Sequence, residues 1–280
     1  MTTSLNTAAI TEDDLVPVSE RKLKNHVSFS MALKNSFTMA HRALLKMLHS
    51  PVTFVEIFVM PIIFTLMFAF IFGGAVAGDM GTYLNTLIPG ILVMTGLTSC
   101  SSSGAALRED MDKGIVARFD SMPISRIAPL AGPLINDFIR YAGGGVIVFV
   151  IGYILGLRPA AGILAVLASI VFLMLVAWCL SWLFAFVSLS VRSTSTATMS
   201  GLVIMLPLIF LSNAFVPVET LPGWLQVFCK INPISHIIGA VREILDLGTV
   251  GADFWWGLLG TAVILLVFIP LTLRAHSRKV

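Results

Sequence analysis

Charge is what this sequence has least of. Asp, Glu, Lys and Arg make up 12% of its 280 residues, against 57% hydrophobic. That is about half the charged share usual in soluble domains, so water is not the main solvent of the fold. Cysteine is scarce as well. Of three residues, Cys100 and Cys179 fall in apolar runs and Cys229 in a more polar segment; they form no disulfide framework and read as small hydrophobes. None of the seven lysines follows a glycine, which excludes the GK[ST] loop that cradles nucleotide phosphates. The five histidines show no HExxH or Cys/His metal spacing, and no GxSxG elbow carries a nucleophilic serine. Enzymatic chemistry in this chain has little support. The beginning of the chain lacks the apolar core of a secretory signal, so the first apolar run is expected to direct membrane insertion.

Long apolar runs are what the sequence has instead. A helix needs about 20 residues to cross a hydrocarbon core of ~30 Å. Six runs qualify: Val52 to Phe72, Leu84 to Leu107, Leu134 to Leu155, Ile163 to Leu189, Met199 to Val218, and Phe254 to Leu273. Lipid cannot satisfy backbone polar groups, so such runs become helices or a closed barrel. Their unbroken apolarity, without strand-like alternation, selects helices. The predicted class is all-α: a polytopic membrane protein with six transmembrane helices filling residues 51–273, leaving no room for a second folded unit. Joining segments such as LRPAAG and VRSTSTAT are too short to hold a module.

The basic residues give the topology. Six precede the first run, four lie between the second and third, Arg192 follows the fourth and three follow the sixth, so fourteen of eighteen share one side. Arg158, Lys230 and Arg242 take the other, and Arg140 sits inside the third run. The positive-inside rule then puts both termini in the cytoplasm, with 1–25 a polar disordered tail and 274–280 a short one. Between Ser28 and Ser50, Phe29, Leu33, Phe37, Ala40, Leu44 and Leu48 recur every three or four positions, with bases between them. This predicts an amphipathic helix over 28–49, lying on lipid headgroups or packed on a soluble partner.

Polar residues inside the runs are candidates for function. Glu56 lies about one turn inside the first and must face protein or a wet cavity; transport coupling and a structural hydrogen bond are both open. The second run holds TGLTSCSSSG, with Thr95, Ser99 and Ser102 on one face, suited to close helix packing or to lining a cavity. Asp137 and Arg140 are three apart and can pair locally, and Gly143, Gly144, Gly145, Gly152 and Gly156 smooth a side of the third run. Residues 218–253 are too apolar for a free loop and too broken by Pro222 and Pro233 to span. They predict two short re-entrant helices on the outward side, with Trp224 at the interface. Secondary transport is disfavoured: no internal repeat relates the two halves, and ionisable residues avoid the bilayer midplane.

Against this background the nineteen residues REDMDKGIVARFDSMPISR, Arg108 to Arg126, hold eight charges, broken by Gly114 and Pro123. This acidic start, Gly114, the Arg118-Phe119 pair and the ending Pro123 to Arg126 resemble the cytoplasmic loop of bacterial ATP-binding-cassette exporter permeases of the second ABC type. The stretch FVPVETLPGWLQVFCKINPISHIIGAVRE, Phe215 to Glu243, resembles that family's outward signature, carried by Pro217, Leu221, Pro222, Trp224, Asn232 and Pro233. Daunorubicin-resistance-like permeases are the most similar subgroup. The resemblance covers about Phe29 to Arg274.

The resemblance implies a bacterial plasma-membrane permease working as two permease copies or paralogues with two soluble ATPase subunits. ATP and Mg would be bound by the ATPase partner, with no cofactor in this chain and no nucleic acid. It implies that loop 108–133 seats a coupling helix in the ATPase, with Arg108, Glu109, Gly114, Arg118, Phe119, Pro123 and Arg126 transmitting motion. A path shared between copies would involve the first, second and fifth runs, for which Glu56, Phe58, Thr95, Ser99, Ser102 and Asn213 are candidates. The expected cargo is a hydrophobic drug or natural product. Export of lipid or lipid-linked glycan by the same architecture is the alternative, and a stand-alone sensor or secondary transporter a third reading.

Overall fold

The structure, a computed structural model, describes residues 41, 45, 50–76, 80–115, 128–215, 218 and 221–277. Of the amphipathic helix over 28–49, only His41 and Leu45 fall among these, and both are helical. The tail 1–25, Pro217, residues 116–127 and the last three residues lie outside the described residues.

Every regular element described is a helix. The first, α1, runs through Pro51–Phe54, a π-helical turn Val55–Val59, and Met60–Val76. Then come α2 (Met80–Asp112), α3 (Ala128–Leu155), α4 (Gly162–Ser190) and α5 (Thr194–Phe210). Two shorter helices, α6 (Gly223–Ile231) and α7 (Pro233–Leu247), precede α8 (Ala252–Ser277). Five of them, α1, α2, α3, α4 and α8, are long and apolar enough to cross a membrane.

The helix α2 is the centre of the bundle. Of its apolar window 83% is buried, against 17% for α8, and it packs on α1, α3, α4, α5 and α7. Leu84, Leu87, Ile88, Leu92 and Leu97 on it are fully enclosed. The outer helices instead present Phe70, Ile154, Leu164, Val203 and Leu266 outward, which fits a hydrocarbon surround where lipid tails are as apolar as the side chains.

The fifth predicted run needs correction in length. Its apolarity predicts a helix reaching Val218, but α5 stops at Phe210 and is 17 residues long, about 26 Å. The cause is local. Ser212 donates to the Ile209 carbonyl at 2.6 Å and accepts from the Ala214 N–H at 3.3 Å, side-chain bonds that compete with the helical ladder.

The exposed carbonyls beyond that break are met by other elements. Asn232 Nδ2 donates to Leu208 O at 2.8 Å and Leu211 O at 3.3 Å, while its Oδ1 accepts from Ile234 N at 3.0 Å. One side chain thus closes the end of α5 and caps the start of α7, with Pro233 in the first helical position, where a missing N–H costs nothing. Tyr83 donates to Phe215 O at 3.2 Å. Arg242 of α7 donates to Thr86 O and Asn213 O, each at 3.3 Å. Non-helical backbone is tolerated in an apolar surround only when buried and satisfied in this way.

Candidate functional site

Polar chemistry concentrates at the two ends of the bundle. Near the end where α2 stops, the π-helical turn of α1 sets the geometry. Pro61 has no N–H, and its ring would strike the carbonyl four residues back in an α-helix. The turn widens, Met60 N bonding to Val55 O, and such a π-bulge rotates the preceding residues. Glu56 faces the bundle interior as a result, where Ser102 of α2 donates to its Oε1. Its Oε2 lies 3.3 Å from Arg140 Nη2, and Arg140 Nη1 lies 3.5 Å from Asp137 Oδ1.

Three charged groups from α1 and α3, with a serine of α2, therefore meet inside the protein. Asp137 and Arg140 are almost fully buried. Beside them Cys100 and Tyr141 share a hydrogen bond of 3.3 Å. The guanidinium balances one of the two carboxylates, and among the described residues Arg140 Nε meets no hydrogen-bond acceptor. The local Asp137–Arg140 pair was legible from spacing; the link to Glu56 was not. The signal available was that Glu56 and Arg140 are both ionisable residues inside long apolar runs.

The other candidate path residues are spread apart. Thr95 bonds its own helix at Ile91 O, 2.8 Å away, and its methyl group sits against Gly144 of α3. Ser99 is buried. Both occupy packed helix contacts. Phe58 faces outward, stacks on Phe54 with ring centroids 4.7 Å apart, and lines an apolar groove with Phe138, Gly143 and Met174. Asn213 lies at the far end, buried, its carbonyl held by Arg242.

The start of the charged loop is tied back into the bundle. Arg108 Nη2 is 2.6 Å from Asp112 Oδ1 and donates to Arg192 O at 2.9 Å. Asp112 Oδ2 accepts from both Thr194 N (3.1 Å) and Thr194 Oγ1 (2.9 Å) at the start of α5. Glu109 pairs with Lys113 at 2.6 Å, a hydrogen bond and opposite charge that hold the Lys113 ammonium above its ordinary pKa. Gly114, at φ +66°, ends α2 in the left-handed conformation that favours glycine, its N–H on Met111 O at 2.9 Å. Arg118, Phe119, Pro123 and Arg126 lie outside the described residues. Asp112 was missed because nothing in the sequence places it beside Thr194.

At the opposite end, Pro222 precedes α6 and accepts from Leu225 N at 2.9 Å, and Leu221 N donates to Val218 O at 3.1 Å. Trp224 is exposed. His236 bridges the Asp253 carboxylate at 2.7 Å and Lys230 O at 3.0 Å, tying α6, α7 and α8 together. Burial first, and then the Asp253 charge, push the Glu243 carboxyl above its ordinary pKa.

Long apolar helices around a central helix, with polar groups paired inside, define a multi-pass helical membrane protein. Its particular kind follows from comparison with known proteins. The family model for the ABC-2 type transporter matches residues 35–245, and the chain belongs to that family. It is 35% identical over 249 residues to the daunorubicin resistance ABC transporter permease of Streptomyces coeruleorubidus, with 87% of each chain covered. A Mycobacterium tuberculosis protein named as a probable doxorubicin resistance ABC transporter permease is 25% identical over 238 residues, covering 83% of this chain and 85% of its own. The family implies an ATP-binding partner subunit.

Proposed function

We propose that this chain is the membrane subunit of an ATP-driven exporter of a hydrophobic drug or natural product, two copies or paralogues working with two separate ATPase subunits that bind ATP and Mg. The observation that carries this reading is the 35% identity to a daunorubicin resistance permease across 87% of both chains. In this reading the chain crosses a bacterial plasma membrane six times with both termini in the cytoplasm. The fifth crossing is α5 completed by the turn 211–215. From Asp112 to Gly90, the length of α2 paired with that segment, is about 33 Å at 1.5 Å per residue, enough for a hydrocarbon core of ~30 Å. The helices α6 and α7 then lie on the outward side as re-entrant elements.

The loop from Arg108 to Arg126 receives motion from the ATPase, and α1, α2 and α5 of two copies flank the path. Coexpression with the ATPase subunit, reconstitution in vesicles and transport of daunorubicin as the probe test this reading. ATP-dependent accumulation is expected, and Arg118→Ala with Phe119→Ala should abolish it at normal assembly. Unchanged transport and ATPase stimulation in that variant would overturn the coupling assignment. Stimulation by a lipid and not by daunorubicin would overturn the drug assignment.

A further inference from the structure

The contacts of α2 with α5 and with the turn 211–215 form an antiparallel seam. At one end Asp112 holds Thr194 N and Oγ1 at 3.1 and 2.9 Å, and Ser193 also caps α5 through Thr196 N. About three turns further along α2, Ser101 fills the space above Gly201, where any Cβ would collide with its hydroxyl. Thr98 Oγ1 meets Met205 Sδ at 3.5 Å. At the far end a Cβ on Gly90 would overlap the Ala214 carbonyl, and Tyr83 holds Phe215 O. Pairs 112/194, 101/201, 98/205 and 90/214 advance along the two segments in opposite directions, so these contacts hold one register from end to end. Packed interiors shift between discrete arrangements and do not deform continuously.

We infer that α2 and α5 move as one rigid lever, and that Asp112 is the positioning residue that clasps it where the charged loop begins. The inference rests on the proposed function. A push on the loop then reaches the turn 211–215, and through Asn232 and Arg242 the helix α7, because α2 carries α5 with it. Arg108, bonded to both Asp112 and Arg192 O, braces the clasp from the loop side. Without Asp112 both bonds to Thr194 are lost and Arg108 keeps only its bond to Arg192 O, so the first turn of α5 can lag behind α2.

The test uses the complete complex with its ATPase subunit in vesicles, reading daunorubicin transported per ATP hydrolysed. Asp112→Ala is expected to lower that ratio by about fivefold or more at unchanged expression and subunit assembly, since exposed ion pairs contribute little to stability. Asp112→Asn, whose amide oxygen still accepts from Thr194, is expected to keep most of the ratio. A purely structural role would not separate these two variants by that ratio. Oxidative cross-linking of an Asp112→Cys, Thr194→Cys pair should leave transport intact, because the clasp stays closed through the cycle; Cys100, Cys179 and Cys229 are buried. A normal ratio in Asp112→Ala, or arrest by the cross-link that a reductant reverses, overturns the lever. Failure of the unaltered complex to transport or hydrolyse ATP overturns the proposed function instead.

Discussion

Replacing Arg140 by Met keeps an unbranched, flexible stem, shortens it by the guanidinium and removes its charge. The guanidinium is 7% exposed and serves two carboxylates, Glu56 at 3.3 Å (17% exposed) and Asp137 at 3.5 Å (2% exposed). At these distances each contact is worth roughly 4–5 kcal/mol at an effective dielectric constant of about 20, largely offset by desolvation of the ions. Removing one partner of a buried pair costs about 3–5 kcal/mol, because the remaining charge stays uncompensated. A chain of this size loses about 2–4 °C of melting midpoint per kcal/mol, so Arg140→Met should lower the midpoint by roughly 10 °C in detergent, read by size-exclusion fluorescence after heating. The neutral triple variant Arg140→Met, Glu56→Gln, Asp137→Asn should recover most of that loss, since buried ion clusters are often replaceable as a unit, and the amide oxygen introduced by Glu56→Gln would still accept from Ser102. A midpoint for Arg140→Met within about 2 °C of the parent would refute the charge argument. So would a triple variant no better than the single one.

Three further outcomes follow from the far end. Asn232→Ala strips Nδ2 from the Leu208 and Leu211 carbonyls and the cap from α7; a loss of about 2–3 kcal/mol is expected, measured as a midpoint shift, with Asn232→Asp recovering the cap alone. Gly90→Val drives a side chain into the Ala214 carbonyl, and overpacking of this kind costs about 1–3 kcal/mol or more; a normal yield of stable protein would show that the turn 211–215 yields. Glu243 has its pKa raised by burial and by Asp253 above the ordinary value of 4.5. The folded state therefore binds a proton more readily than the unfolded chain, and stability falls as pH rises from 4.5 through the folded pKa. Glu243→Gln should match the parent at low pH, near the ordinary carboxylate value, and melt higher at about pH 8; equal midpoints at both would contradict the assignment.

The long helices were legible because their cause is local. Runs such as Ile163 to Leu189 have one conformation in lipid that satisfies their backbone within the segment, and the structure forms α4 over Gly162–Ser190. The end of α5 was not legible, because apolarity continues past Phe210 while the hydroxyl of Ser212 breaks the ladder. Pro61 stood in plain view, but a proline in an apolar run does not by itself say whether the helix ends, kinks or opens a π-helical turn. Thr95, Ser99 and Ser102 share a helical face by spacing, yet only Ser102 meets a carboxylate, since the partner is chosen by the docking of α1 against α2.

The sequence by itself determined that this protein lies in the membrane, that its backbone is helical, and that it belongs to the ABC-2 type family, which its stretches Arg108 to Arg126 and Phe215 to Glu243 resemble. These properties follow from composition, run length and motif order, which are written along one dimension. Tertiary structure alone decided that Glu56 joins Asp137 and Arg140, that Asn232 closes α5, and that Asp112 holds Thr194 across 82 positions of chain. Each of these contacts satisfies a polar group far from any sequence neighbour, and which group meets which is set by helices packing side by side.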